Sequence, residues 1–272
     1  MSEAEAVAAT RTDYAAMLRL DGTVHVVLGA GQGIGREAAL ALSAAGATVV
    51  CVDLDLDRAE AVAAEVGGVG LAGDALERDS MTALFGGLTT RFDRLDGVVD
   101  IIGMSQYKGV LEFTDEDLAW HRRFNLQHAL LTIQCAEPQM TASGGGCVTF
   151  VTSIAALTSA PMHAVYGLEK AGIMSLARTA AVELGPRGMR VNSVAPGLVR
   201  TPRQIENPSW TPELVQTNID RTPLRRLAVP ADVAGAILFL ALPIAGHITG
   251  QAIVVDGGSS ITYSVETPGS VA

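Results

Sequence analysis

Short, mostly apolar runs alternate along the chain with longer stretches in which apolar residues recur every three or four positions. The runs fall near 24–28, 48–52, 69–72, 97–101, 147–152, 190–195 and 252–255. Runs this short, without polar alternation, suit strands buried on both faces of a parallel sheet. Helical periodicity fills the intervals near 34–45, 57–66, 78–92, 114–141, 164–184 and 231–242. Thr114 with Asp117 can cap one helix, and Gly46 and Gly185–Pro186 can end two others. Strand–helix alternation predicts an α/β fold. It is a single-domain, Rossmann-like, doubly wound parallel sheet of about seven strands with helices on both faces, and ligands bind at the C-terminal strand ends.

Residues 1–20 read as an N-terminal extension, 21–258 as the domain and 259–272 as a polar tail that can reach a neighbouring subunit. Residues 198–226 show little regular pattern and contain Pro202, Pro208 and Pro212. A loop this long in a compact domain is usually functional or disordered. It is read as a lid with Trp210 and Leu214 as apolar contacts, against a surface excursion or a segment ordered only by ligand.

Behind the first run stand Gly29, Gly31, Gly33 and Gly35, then an alanine-rich helix, a second strand and Asp53. Glycines let the backbone approach a pyrophosphate, and the helix N-terminus offers aligned N–H groups. A carboxylate at Asp53 can bind ribose hydroxyls and repels a 2′-phosphate. The glycine turn holds Gln32 and no basic residue, with Arg36 directed along the helix. NAD is therefore expected over NADP.

Tyr166 and Lys170 stand one helical turn apart, and Ser153 lies upstream in VTFVTSIAAL. A cation beside a phenol favours the phenolate, and a serine hydroxyl can bind the same substrate oxygen. The set reads as a proton-transfer device for an alcohol or ketone.

These motifs, with Asp74 in AGDAL, Asn125 in FNLQHA, NSVAPGLVRTP at 192–202 and ITGQAIVVDGG at 248–258, resemble the short-chain dehydrogenases/reductases in their compact single-domain form. The resemblance covers about Leu20 to Gly258. It implies that Tyr166 is the acid/base, that Ser153 holds the substrate oxygen, and that Lys170 lowers the phenol's pKa and binds the nicotinamide ribose. Asn125 would complete a proton relay. It places the cofactor against Gly29, Gly31, Gln32, Gly33, Ile34, Gly35, Asp53, Leu54, Asp74, Ala75, Ile102, Gly103, Tyr166, Lys170, Pro196, Gly197, Val199 and Thr201. It also implies a homotetramer. One motif departs. The family's usual Asn-Asn-Ala-Gly is here Asp100-Ile101-Ile102-Gly103, which keeps the glycine but adds bulk beside the adenosine ribose.

Residues after the strand ends should line the substrate pocket: Met104, Ser105, Gln106, Tyr107, Ile154, Leu157, Met162, His163, Leu198 and Trp210. Most are apolar, so the expected substrate is a cyclic, terpenoid, steroid-like or acyl alcohol, with Gln106, Tyr107 or His163 available for a second polar group. The favoured reading is an NAD-dependent secondary-alcohol dehydrogenase or ketone reductase. A 3-oxoacyl-carrier-protein reductase and a non-catalytic NAD-binding regulator are the alternatives.

Composition narrows the classes further. The chain has 272 residues, enough for one large α/β domain or two small ones, and 49% are apolar, enough for a sizeable core. A net charge of −10 argues against nucleic acid, and no basic tract serves an anionic membrane. No uninterrupted apolar stretch reaches ~18 residues, and the acidic N-terminus is no signal peptide. Cys51, Cys135 and Cys147 form neither metal spacing nor a disulfide framework. They read as buried small hydrophobes in a reduced, cytoplasmic setting, with no metal expected.

Overall fold

The computed structural model describes residues 12–262. Parts of the expected extension and tail, 1–11 and 263–272, lie outside them. Seven parallel strands form one sheet in the order β3-β2-β1-β4-β5-β6-β7. They are β1 (Val24–Leu28), β2 (Thr48–Asp53), β3 (Val69–Ala72), β4 (Gly97–Asp100), β5 (Gly146–Val151), β6 (Met189–Pro196) and β7 (Ala252–Val255). The central strands are buried on both faces, as their mostly apolar runs require.

Helices α1 (Gly33–Ala44), α2 (Leu56–Val66) and α9 (Pro230–Ala241) cover one face, where Leu42, Val62, Ile237 and Leu240 are buried. Helices α3 (Arg78–Arg91), α5 (His128–Ala142) and α6 (Ala164–Leu184) cover the other around Phe85, Leu131, Met140, Phe150 and Ile173. Alanines such as Ala38, Ala39 and Ala177 at the contacts let the helices lie close to the sheet.

Two stretches differ from the sequence expectation. The interval expected as one helix over 114–141 is α4 (Asp115–Arg122), a π-helical turn at Arg123–Gln127, then α5. The capping box on α4 is present: Thr114 Oγ1 accepts the Asp117 N–H, and Asp117 Oδ2 accepts the Thr114 N–H. The region 198–226 is also more regular than expected, with α7 (Pro202–Ile205) and α8 (Pro212–Arg221). Pro202 and Pro212 open these helices behind Thr201 and Thr211, whose hydroxyls cap them.

Cys51 and Cys147 are buried and Cys135 partly so, all three as free thiols. Burial pushes the Cys51 thiol up to about 12 and that of Cys147 up to about 11. Among the described residues no helix is long and apolar enough to cross a membrane, and no cluster of His, Cys, Asp or Glu is arranged for a metal ion.

Candidate active site

The chain leaves β1 through Gly29 and Gly33, at φ of +84° and +57°, and enters α1. No side chain caps that helix and its first turn holds no acid, so its free N–H groups form an anion site. The glycines are steric requirements. A Cβ on Gly31 would lie 2.6 Å from Asp53 Oδ2 and 2.8 Å from Arg58 Cβ, and one on Gly35 would overlap the Gly29 carbonyl oxygen. Gln32 is the extended residue preceding α1, and Ile34 packs into the core beneath the turn.

Asp53 ends β2 and accepts the Gly31 N–H at 2.9 Å through Oδ2 and the Asp55 N–H at 3.2 Å through Oδ1. Its carboxylate therefore braces the glycine turn. Leu54 beside it is exposed. Past β3, Asp74 Oδ1 accepts the Leu76 N–H at 2.9 Å, its own N–H donates to Ser80 Oγ, and Ala75 is buried. Arg36 turns away to pair with Glu65 and Glu37. Arg58, which the sequence reading passed over, packs against the turn and pairs with Asp55 at 3.3 Å. Its position in the first turn of α2, just past Asp53, was the available signal.

The departure at 100–103 puts both isoleucine side chains beside the glycine turn. Ile101 packs into the core on one face of the sheet and Ile102 on the other. Both side chains lie close to Gly29, where a Cβ would sit 3.2 Å from Ile102 Cδ1 and 3.9 Å from Ile101 Cβ. Gly103 lies against Lys170: a Cβ there would be 2.6 Å from Nζ and 3.1 Å from Asn125 Oδ1.

Ser153, Tyr166, Lys170 and Asn125 converge just past β4 and β5. Ser153 follows β5, and its Oγ accepts the Ala155 N–H at 3.1 Å. Tyr166 and Lys170 occupy successive turns of α6, with Nζ 6.0 Å from the phenol ring centroid. Lys170 is buried and donates to the Ile102 carbonyl at 2.9 Å and the Val151 carbonyl at 3.1 Å. Asn125 lies in the π-helical turn, a feature frequent at functional sites. Its Oδ1 accepts the Met104 N–H at 3.0 Å and its Nδ2 donates to the Met104 carbonyl at 2.7 Å.

The electrostatics correct one expectation. Burial pushes the Tyr166 phenol up to about 12, although the Ser153 hydroxyl pulls it down and Tyr107 pushes it further up. Lys170, whose ammonium is bonded to backbone carbonyls, is itself pushed down to about 8 by burial. The protein alone therefore holds the phenol as an acid.

On the substrate side, the Tyr107 and His163 rings meet edge-on at 5.0 Å, and His163 lies 6.2 Å from the Tyr166 ring. Met162, at φ +66°, is one of two non-glycine residues in the left-handed region among the described residues. Such strain clusters at functional sites. It sets His163, whose Nδ1 bonds the Pro161 carbonyl at 2.8 Å. Ser105 Oγ is buried with no protein partner. Ile154 starts the turn after Ser153, and Gln106 and Trp210 are half-buried. Trp210 sits between α7 and α8, its N–H bonded to the Asn207 carbonyl. Pro196 ends β6, Gly197 packs on Asp256, and buried Val199 bridges to Ala228. Thr201 comes up against Gly33 of the glycine turn.

A family model described as enoyl-(acyl carrier protein) reductase matches residues 29–260. An L-rhamnose 1-dehydrogenase (NAD(P)(+)) of Azotobacter vinelandii is 36% identical over 252 residues, covering 89% of this chain and 98% of the relative. A tropinone reductase homolog of Arabidopsis thaliana is 36% identical over 192 residues, spanning 69% of this chain and 61% of the relative's own length. Among solved structures, a 7α-hydroxysteroid dehydrogenase complexed with NADH and 7-oxo glycochenodeoxycholic acid superposes with a TM-score of 0.85. Its identity is 32%, and the match covers 91% of this chain and 98% of that one. With the sheet order, glycine turn and tyrosine–lysine helix already described, these matches make the chain a member of the short-chain dehydrogenase/reductase family.

Proposed function

We propose that the protein interconverts a secondary alcohol and a ketone on a largely apolar body, with NAD preferred. The observation that carries this reading is the convergence of Ser153, Tyr166, Lys170 and Asn125 beside an uncapped helix N-terminus. A bound dinucleotide supplies the hydride acceptor or donor. In reduction, Tyr166 donates its phenolic proton to the carbonyl oxygen as hydride reaches the carbon. In oxidation its phenolate form takes the hydroxyl proton. Ser153 donates a hydrogen bond to the developing oxyanion. Lys170 orients the nicotinamide ribose, and Asn125 fixes the Met104 backbone at the pocket edge. The phenol's high pKa favours the proton-donating role at neutral pH.

Met104, Tyr107, Leu157 and Met162 are substantially exposed around the tyrosine, which supports a ring-bodied substrate. Tyr107 and His163 would bind its second polar group. The segment 198–226 would act as the lid. Ion pairing of Arg36 away from the turn supports NAD, and Asp53 opposes a 2′-phosphate. Buried free thiols are in keeping with a cytoplasmic setting. Exposed Leu130, Leu168 and Val182 on α5 and α6 support a homotetramer, which gel filtration reads directly.

The test is absorbance at 340 nm with NAD and NADP side by side against cyclic and steroidal alcohols, alditols, sugars and a 3-oxoacyl thioester. Turnover on a cyclic or steroidal alcohol with NAD is expected. NADH binding without turnover across the panel would overturn the enzymatic reading in favour of a binding protein.

Asp53→Ala is expected to raise KM for NAD about tenfold, ~1.4 kcal/mol, and to narrow the gap to NADP, because Arg58 remains beside the turn. An unchanged cofactor ratio in steady-state kinetics would remove Asp53 from the discrimination.

A further inference from the structure

Asp100 ends β4 and is completely buried. Its Oδ2 accepts from Thr132 Oγ1 at 2.8 Å and bonds His128 Nδ1 at 2.8 Å. His128 and Thr132 lie one turn apart on α5, so one helix face presents both to the same carboxylate. Nε2 of His128 is buried without a partner, which fits the tautomer that donates from Nδ1, since a bare lone pair is the cheaper orphan. Oδ1 accepts the Ile102 N–H at 3.1 Å, and the Ile102 carbonyl accepts from Lys170 Nζ at 2.9 Å. The hydrogen bonds thus link α5, through Asp100 and the two backbone groups of Ile102, to the lysine of the candidate site.

We propose that Asp100 is a positioning residue for Lys170: its carboxylate, held by His128 and Thr132, anchors Ile102 through its N–H, the residue whose carbonyl holds the ammonium, and supplies the buried negative charge that keeps the ammonium protonated. This rests on the dehydrogenase reading only for its catalytic consequence. Burial pushes Lys170 down to about 8, and Asp100 is the group that opposes the fall. Burial also raises the Asp100 carboxyl, but His128, the Ile102 N–H and Thr132 outweigh it, so the group stays below the usual carboxylate range and charged. The other ionisable groups around Lys170 do not take this role. Tyr166, one turn earlier on α6, is held neutral by burial. Glu169 is buried, shifted toward its neutral form, and turned to Arg122 of α4 at 3.8 Å. His121 of α4 lies against Asn125 at 3.5 Å. An asparagine, as the family usually carries here, would make the same bond to Ile102 without the charge.

The chain contains two lysines, Lys108 and Lys170, so [13Cε]lysine NMR of the ligand-free protein gives two resolvable titrations. Lys108, paired with Asp117 at 2.6 Å, serves as the internal reference. Asp100→Asn is expected to move the Lys170 midpoint to lower pH by about one unit, a tenfold change in the proton equilibrium, with Lys108 unmoved. The alkaline limb of kcat/KM for ketone reduction should shift by the same amount. Thr132→Val, which leaves the charge in place, should lower the melting temperature without moving the midpoint. Asp100→Ser, also uncharged, is read in the same way if the asparagine variant folds poorly. A Lys170 midpoint that stays put in both uncharged variants overturns the proposal. A shifted midpoint in a protein whose wild type turns over no substrate supports the positioning role while removing the dehydrogenase reading, so the two fail separately.

Discussion

Tyr166→Phe is expected to lower kcat about 10³-fold, ~4 kcal/mol of transition-state stabilisation, while the Kd for NADH stays within about twofold. The phenyl ring fills the same volume, so α6 and the edge contact with His163 persist. What is lost is the one hydroxyl placed to give a proton to the substrate oxygen. Ser153 cannot replace it, because a serine hydroxyl donates a hydrogen bond but is too weak an acid to transfer its proton at neutral pH. The wild-type pH profile sharpens the test. Tyr166, pushed up to about 12, is protonated throughout the ordinary working range. Ketone reduction should therefore hold steady up to about pH 8 and decline above it, as Lys170 loses the charge that orients the ribose. The phenylalanine variant should be uniformly slow at every pH. Stopped-flow hydride transfer together with NADH fluorescence separates the loss of chemistry from a loss of binding. Near-normal turnover in the variant would assign the proton to another group.

The sheet was legible because its central strands are buried on both faces and read as mostly apolar runs, such as Val24–Leu28. The chemistry was legible where it is local: Tyr166 and Lys170 share a helix face, and the glycine turn is contiguous. Prolines misled in 198–226, where a residue that breaks a helix interior instead begins one, as Pro202 and Pro212 do behind threonine caps. The π-helical turn at Asn125 carries no sequence signal, because it lies where α4, packed on α6, passes into α5. The pairing of Asp100 with His128 and Thr132 spans 28 and 32 residues, so only the fold brings it together. The balance of forces on Tyr166 was misjudged for a related reason. Sequence spacing reports that a lysine is near, but not that two backbone carbonyls already hold it in a buried site.

Gly35→Ala is expected to damage both folding and cofactor binding, since the added methyl meets backbone and not a movable side chain. Its Cβ would overlap the Gly29 carbonyl oxygen and lie 3.0 Å from Ala30 Cα, so α1 must move away from the end of β1. Gly35 has an ordinary helical backbone, and alanine is the better helix former. Propensity alone therefore predicts a gain of up to ~1 kcal/mol, whereas overpacking of this kind typically costs ~1–3 kcal/mol and sometimes more. The collision decides the sign, because neither the β1 carbonyl nor the helix axis can yield without disturbing Leu42, Ala38 and the core they enter. A melting temperature lower by roughly 4–8 °C follows for a domain of this size. The same displacement turns the N–H groups of α1 away from the pyrophosphate position, so the Kd for NADH should rise at least about tenfold, ~1.4 kcal/mol. The contrast with Gly103 makes the argument specific. A methyl there meets side chains, Lys170 and Asn125, and not backbone, so Gly103→Ala should disturb the bonds of Lys170 to the Ile102 and Val151 carbonyls and lower the melting temperature less than Gly35→Ala does. Thermal melts and NADH titrations of the two alanine variants side by side check this, and a Gly35→Ala protein that melts at or above the wild-type temperature would show that helix propensity, not the backbone collision, governs the turn.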